Sequence, residues 1–236
     1  MRGFCIALCL FSVPLFGFPR YSTRDLGTLE YYSWALDVTS RGQVIGQSAD
    51  ANGIGRAFSW TAKEGIVDLG TLGSLAKPEA VNARGQVVGE SYISATEYHA
   101  FLWTDTDGML DLGTLGGKNS VAVAVNDHGR IVGASETHNG KVHAFFWTHA
   151  TGMIDLGTLG GESSGAAAVN ARGQVAGHSY GSSDEAHAYL WSHDTGMIDL
   201  GIRLTALLLF RCAHQPPTCF VGLQRGRPQN TALTVR

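Results

Sequence analysis

Apolar residues arrive along this chain in short bursts, about four to each stretch of roughly 44 residues. The stretch from Ser120 shows the pattern. Val121-Ala122-Val123-Ala124-Val125 is an apolar run rich in β-branched residues and predicts a strand. Asn126-Asp127-His128-Gly129 follows, with Asn at the first turn position and Gly at the fourth, which suits a type I turn with a glycine exit. Arg130 to Ser135 leads back as a second strand, and the polar Glu136 to Lys141 reads as a surface loop. His143 to Trp147 predicts a third strand whose alternation puts His143, Phe145 and Trp147 on one face and Ala144 and Phe146 on the other. A turn from Thr148 to Gly152 leads into a fourth predicted strand, Met153 to Leu159, and Gly160-Gly161 reads as the end of the unit. Tight turns between all four strands leave no room for a helix.

The same words recur at a fixed interval. Asp-Leu-Gly begins at Asp25, Asp68, Asp111, Asp155 and Asp199, in steps of 43, 43, 44 and 44 residues. The hairpin is rewritten as Ala80 to Gly89 and Ala168 to Gly177. The first copy departs, with Thr39 where Asn is expected and Gly42 keeping the turn. So regular a period means stacked copies of one supersecondary unit. Four complete units are predicted, Tyr31 to Leu72, Leu75 to Leu115, Asn119 to Leu159 and Ser163 to Gly201. One such unit cannot bury both faces, whereas stacked units bury them against each other. The predicted fold is all-β, a β-propeller-like array of four-stranded antiparallel units with a period of 43–44 residues; an open or spiral β repeat array is the alternative. The lone word Asp25 to Leu29 reads as an extra strand, which either pairs with the last blade to close the ring or belongs to a further blade.

The ends follow other rules. Arg2 and the apolar Phe4 to Phe18 read as an export signal, too short to span a membrane. After Asp199-Leu200-Gly201 the repeat stops in mid-word, and the remainder has five arginines, no lysine and no acidic residue. The chain therefore divides into 1–20, a signal peptide; 21–201, the repeat domain; and 202–236, a non-repeat basic tail that reads as frameshifted or disordered. The formal charge of −3 conceals an asymmetry: Asp25 to Asp199 holds all 20 acidic residues and only 9 of the 17 basic ones, a balance of −11. A repeat domain that acidic argues against a nucleic-acid partner. Cys5, Cys9, Cys212 and Cys219 all lie outside the repeats and form no Cys-x-x-Cys pair, which argues against zinc.

The words His-Ala-Phe-x-Trp, Gly-Met-x-Asp-Leu-Gly-Thr-Leu-Gly-Gly and Ala-Val-Asn-x-x-Gly-Gln-Val-Val-Gly resemble the HAF-repeat family, a chiefly bacterial group of extracellular repeat proteins. His99-Ala100-Phe101 and His143-Ala144-Phe145 match fully, while His187-Ala188-Tyr189 has Tyr for Phe and Arg56-Ala57-Phe58 has Arg for His. The resemblance spans Tyr21 to Gly201 and implies secretion or surface exposure. It implies no activity, cofactor or catalytic residue.

Candidate chemistry sits at the positions that repeat. His99, His143 and His187 occur once per unit, and so do Asp68, Asp111, Asp155 and Asp199. Ligands to one metal must converge on one point, and equivalent positions in neighbouring units do not. Arg56 standing for His also favours a structural donor, such as one bonding a turn carbonyl beside the Trp. Paired carboxylates suit glycoside hydrolysis when they face each other across a cleft, but the same Asp in every unit is what packing or a backbone cap produces. Asp105-Thr106-Asp107-Gly108 resembles the start of a calcium loop and lacks its closing Glu. Trp60, Trp103, Trp147 and Trp191 keep one place in the unit, which favours a role in the core between units over sugar stacking. These eleven His, Trp and Asp positions are read as repeat-signature structural residues, with no catalytic, cofactor or metal residue assigned.

The function expected is that of a secreted or surface-exposed non-catalytic repeat protein, an interaction scaffold for a protein or glycan ligand, with variable loops at Ala49 to Gly55, Tyr92 to Tyr98, Glu136 to Lys141 and Tyr180 to Ala186. The alternatives are a carbohydrate-active enzyme on a propeller frame and a truncated fragment without function. Nothing in the sequence names a cofactor or fixes an oligomeric state.

Overall fold

Each period of the sequence folds into one antiparallel meander of four strands. The computed structural model describes residues 25–29, 31–203, 219–221 and 233–235. Blade 1 is β1 (Tyr32–Val38), β2 (Val44–Ala49), β3 (Gly55–Thr61) and β4 (Gly65–Asp68). Blade 2 is β5 (Ala76–Val81), β6 (Val87–Tyr92), β7 (Tyr98–Thr104) and β8 (Gly108–Asp111). Blade 3 is β9 (Gly116–Val125), β10 (Ile131–Thr137), β11 (Val142–Thr148) and β12 (Gly152–Asp155). Blade 4 is β13 (Gly160–Val169), β14 (Val175–Gly181), β15 (Ala186–Ser192) and β16 (Gly196–Arg203). Two short strands, β17 (Cys219–Val221) and β18 (Leu233–Val235), pair antiparallel. The predicted signal peptide, 1–20, lies outside the described residues, as does most of the predicted tail. No helix among the described residues is long and apolar enough to cross a membrane.

The first hairpin of each blade forms for local reasons. In blade 3, Gly129 N–H donates to the Asn126 carbonyl at 3.0 Å, which closes the turn. The Asn126 side-chain oxygen meanwhile accepts from His128 N–H at 2.9 Å and Arg130 N–H at 3.1 Å. A short polar side chain that binds its own backbone is what makes Asn a turn residue. Thr39 replaces it in blade 1 through its hydroxyl, which accepts from Gln43 N–H at 3.1 Å. The strands beyond the turn carry a β-bulge that the alternating Val/Ala run does not announce. Val132 pairs with Ala124 but Gly133 pairs with Ala122, so Val123 is the extra residue, and the same shift occurs in the other three blades. The bulge brings the first strand close, and Gly133 leaves room for it. A Cβ there would collide with the Val121 carbonyl and lie 2.8 Å from the Phe145 ring.

The core lies between blades. Each blade has a leading face, toward the preceding blade, and a trailing face, toward the next. The trailing face of blade 2 offers Val88, Ala100, Leu102 and Leu112, and the leading face of blade 3 meets it with Ala122, Val125, Ile131, Phe145 and Trp147. The same pairing recurs between blades 3 and 4, and between blades 1 and 2. Alternation along the third strand makes this possible: in β11, Phe145 and Trp147 face back while Ala144 and Phe146 face forward. Polar stitches cross the same joints. Ala100 N–H donates to Ser120 Oγ at 2.8 Å and Ala144 N–H to Ser164 Oγ at 2.9 Å. Asn82 Nδ2 donates to the Asn126 carbonyl at 2.9 Å, and Asn126 Nδ2 to the Asn170 carbonyl at 2.7 Å.

Three sequence expectations need correction. The predicted fourth strand, Met153 to Leu159, ends at Asp155, because the Asp155 carboxylate takes Gly157 N–H at 2.8 Å and turns the chain out of the sheet. Gly160-Gly161 does not close a unit but begins β13, as Gly116-Gly117 begins β9. The word Asp25 to Leu29 does not pair with the last blade: Leu29 N–H donates to Ser48 Oγ of blade 1 at 3.0 Å, as Leu72, Leu115 and Leu159 do to Ser91, Ser135 and Ser179 in the blades that follow them. Among the described residues, no strand of blade 4 packs along a strand of blade 1.

Candidate functional site

The recurring His and Asp meet within each blade. The His lies near the start of the third strand, the Asp ends the fourth in blades 1 to 3 and lies within it in blade 4, and antiparallel pairing brings positions 12 apart together. His99 Nδ1 lies 2.8 Å from Asp111 Oδ2, His143 Nδ1 2.9 Å from Asp155 Oδ2, and His187 Nδ1 2.7 Å from Asp199 Oδ2. In blade 1, Arg56 takes the place of His and pairs with Asp68 at 2.5 Å. The partner of the His is thus a carboxylate and not a turn carbonyl. The other carboxylate oxygen accepts the N–H of the Gly two residues on, at Gly70, Gly113, Gly157 and Gly201. The Asp199 carboxyl is held below its ordinary range, first by the His187 hydrogen bond and then by Gly201 N–H. Each Asp therefore serves as a backbone cap and a side-chain clamp.

This arrangement offers little to a substrate. The His–Asp pair repeats with the same geometry in three blades, and an active site needs convergence at one place. Among the described residues no group of three or more His, Cys, Asp or Glu comes together as a metal site would require. The calcium-like phrase folds on itself instead: Thr104 and Thr106 hydroxyls donate to Asp107 Oδ2 at 3.0 and 3.1 Å. Trp60, Trp147 and Trp191 are buried and Trp103 half-buried, each on the leading face of its blade, so none offers an open platform for a sugar ring.

Other features are open. A polar cleft of about 280 Å³ lies where the first-hairpin turn and the β7–β8 turn of blade 2 converge, lined by Arg84, Gln86, Thr104, Asp105, Thr106 and Asp107. A neighbouring one of about 180 Å³ shares Arg84 and Asp105 and adds Gln43, Ser59 and Glu64 from blade 1. On β1, the Tyr32 and Trp34 rings stack at 5.6 Å with 21° between their planes, and Tyr31 meets Tyr32 edge-on at 5.7 Å. All three side chains are exposed. The repeat pattern hides this cluster, because its positions hold Ser74, Leu75 and Lys77 in blade 2. The loops between second and third strands vary in sequence yet close tightly. Asp50 N–H donates to the Ile54 carbonyl, Ile93 N–H to Glu97, Thr137 N–H to Lys141 and Gly181 N–H to Glu185, at 2.7–3.0 Å.

Desolvation acts on two titratable groups in blade 4. The Tyr189 hydroxyl is buried without a hydrogen-bond partner among the described residues, and burial pushes its ionisation above the ordinary range. His178 is half-buried, and desolvation holds its imidazole below its ordinary value. In blade 2, burial raises the Glu90 carboxyl, with Lys77 opposing the shift.

No family model and no curated protein matches the chain. Among solved structures it is similar to TolB from Acinetobacter baumannii, with a TM-score of 0.55 and 13% identity over 78% of this chain and 46% of that one. The chain therefore spans about half the length of that protein. A fungal lectin from Aleuria aurantia, described as a six-bladed β-propeller with a fucose recognition mode, aligns with a TM-score of 0.42 and 14% identity over 86% of this chain and 73% of that one. The architecture is that of a β-propeller-like array of four-stranded antiparallel units, and the likeness is one of fold.

Proposed function

We propose that this chain is a HAF-type repeat protein, exported to the cell surface or beyond, that works as a non-catalytic interaction scaffold. One observation carries this reading. The recurring polar side chains are spent on holding the blades together, and what differs from blade to blade is the exposed surface: the tight loops 50–54, 93–97, 137–141 and 181–185, the Arg84–Asp107 cleft and the Tyr31, Tyr32 and Trp34 cluster. A rigid frame with variable exposed loops is how binding proteins place recognition residues. Stacked, exposed Tyr and Trp rings favour a glycan or protein ligand over a nucleic acid, since the repeat domain is acidic.

The test is a saccharide and surface-protein screen with the full chain, read for binding and for bond cleavage together. Saturable binding without turnover, weakened by Trp34→Ala, is the expected result. Glycosidic cleavage would overturn the scaffold reading in favour of a carbohydrate-active enzyme. Failure of the repeat region to unfold cooperatively would favour a fragment without function.

A further inference from the structure

The joint between blades 1 and 2 departs from the two that follow it at one point. The residue between Phe and Trp in the third strand is Ser59 in blade 1, Leu102 in blade 2 and Phe146 in blade 3. This position faces the tryptophan of the next blade. Leu102 packs in one cluster with Trp147, and Phe146 meets Trp191 with ring centroids 5.4 Å apart. Both tryptophans are buried. Ser59 is too short to cover Trp103 in the same way, and Trp103 is left half-buried. The unfilled space is a gap of about 180 Å³, lined by Ser59, Thr61 and Val67 of blade 1 and by Arg84, Trp103 and Asp105 of blade 2.

A second departure in blade 1 turns a polar group into the same gap. In blades 2 and 4 the glutamine after the first-hairpin turn is held by that turn's own asparagine. Asn82 Nδ2 donates to Gln86 Oε1 at 2.7 Å, and Asn170 Nδ2 to Gln174 Oε1 at 2.8 Å. Thr39 stands in place of the asparagine in blade 1 and has no amide to offer. Gln43 turns to Ser59 instead, and its Nε2 donates to Ser59 Oγ at 2.9 Å. Gln43 and Glu64 complete the lining from blade 1. Across from them, neither the Arg84 guanidinium nor the Asp105 carboxylate has a hydrogen-bond or ion-pair partner among the described residues.

We propose that this gap binds one neutral hexopyranose residue of a glycan. The inference rests on the scaffold reading and gives its ligand a class and a place. A pyranose ring has an apolar C–H side and an edge of hydroxyls, each both donor and acceptor. The half-buried Trp103 ring and Val67 supply an apolar wall. Arg84 and Gln43 donate while Asp105 and Glu64 accept, a mixture that hydroxyls satisfy from both sides. Two carboxylates beside one guanidinium repel a phosphate, a sulfate or a uronic acid. The volume takes one ring and not an oligomer. Convergence of unlike groups at one place, which the His–Asp pairs lack, is present here.

The experiment is an NMR titration of the full chain, its tryptophan indoles isotope-labelled, with the methyl glycosides of glucose, galactose and mannose. Loss of one signal in Trp103→Phe assigns Trp103. At least one glycoside is expected to shift that signal saturably, with a Kd on the order of 1 mM, as suits a ligand of this size. Ser59→Leu, which copies blade 2, is expected to fill the gap and abolish the shift. Arg84→Ala, at an exposed position that does not endanger the fold, is expected to weaken binding about tenfold. No shift of the Trp103 signal with any of the glycosides overturns the proposal. So does a folded Ser59→Leu or Arg84→Ala that binds as wild type does. Binding that survives Ser59→Leu and is lost in Trp34→Ala also overturns it, and leaves the scaffold reading standing with its ligand on the Tyr31, Tyr32 and Trp34 cluster. Cleavage of a glycoside overturns the scaffold reading and this inference with it, and is read separately in the same spectra as released methanol.

Discussion

His143 on β11 and Asp155 on β12 face each other with Nδ1 2.9 Å from Oδ2, and the same carboxylate holds Gly157 N–H at 2.8 Å. The two bonds make Asp155 the costlier residue to lose. Asp155→Ala is expected to lower stability by about 1–2 kcal/mol, and His143→Ala by about 0.5 kcal/mol, since the pair is partly exposed and screened. His143→Arg should be near neutral, because Arg56 already pairs with Asp68 at this place in blade 1. Chemical denaturation of the three variants and of the double alanine variant measures the coupling. Equal losses for His143→Ala and Asp155→Ala would show that the turn cap contributes nothing.

Tyr189 stands where blades 1 to 3 have Phe58, Phe101 and Phe145. Among the described residues its buried hydroxyl has no partner, so Tyr189→Phe is expected to raise stability by about 1 kcal/mol. A shift of the denaturation midpoint to lower denaturant would mean that the hydroxyl is satisfied in solution.

Gly133 is placed where a side chain meets backbone. Gly133→Ala is expected to cost about 3 kcal/mol, because the Val121 carbonyl cannot move without opening the bulge. Adding Phe145→Leu should recover only part of the loss, since it relieves the ring contact alone. Full recovery in the double variant would put the strain on the ring instead of the bulge.

His178 gives a pH dependence with a definite sign. Its folded-state value lies below the ordinary 6.5, so the unfolded chain takes up the proton first as the pH falls. Its contribution to stability is complete above about 6.5 and declines as the pH drops from there to the folded-state value. The corresponding residue in blade 3 is Ala134, which makes His178→Ala a mild replacement. Unfolding free energies of wild type and His178→Ala, measured across this window, should converge toward the acid side. Parallel curves would show that another group carries the effect.

The strand count and the Asn–Gly turn were legible in the sequence, because each is a local pattern copied several times. The bulge at Val123 was not, since a run of alternating Val and Ala reads the same in either register. Gly160-Gly161 looked like an ending, because paired glycines punctuate chains more often than they open strands. The His–Asp pairs were within reach: the spacing of 12 is the same from His99 to Asp111, His143 to Asp155 and His187 to Asp199. A hairpin with that separation brings those positions together. The Tyr31, Tyr32 and Trp34 cluster was hidden for the opposite reason, because it stands where blade 1 stops resembling the others.

The linker word joins two blades at once. Leu112 is buried in the joint between blades 2 and 3, while Leu115 N–H reaches forward to Ser135 of blade 3 at 2.8 Å. The linkers after blades 1 and 3 do the same through Leu69 and Leu72 and through Leu156 and Leu159, so the material from one Leu-Gly-Thr-Leu to the next is a self-contained cassette with matching ends. Unequal recombination between such cassettes would lengthen or shorten the array by whole blades without spoiling either seam. The number of blades in a protein of this kind is therefore free to drift, while the seam between them is not.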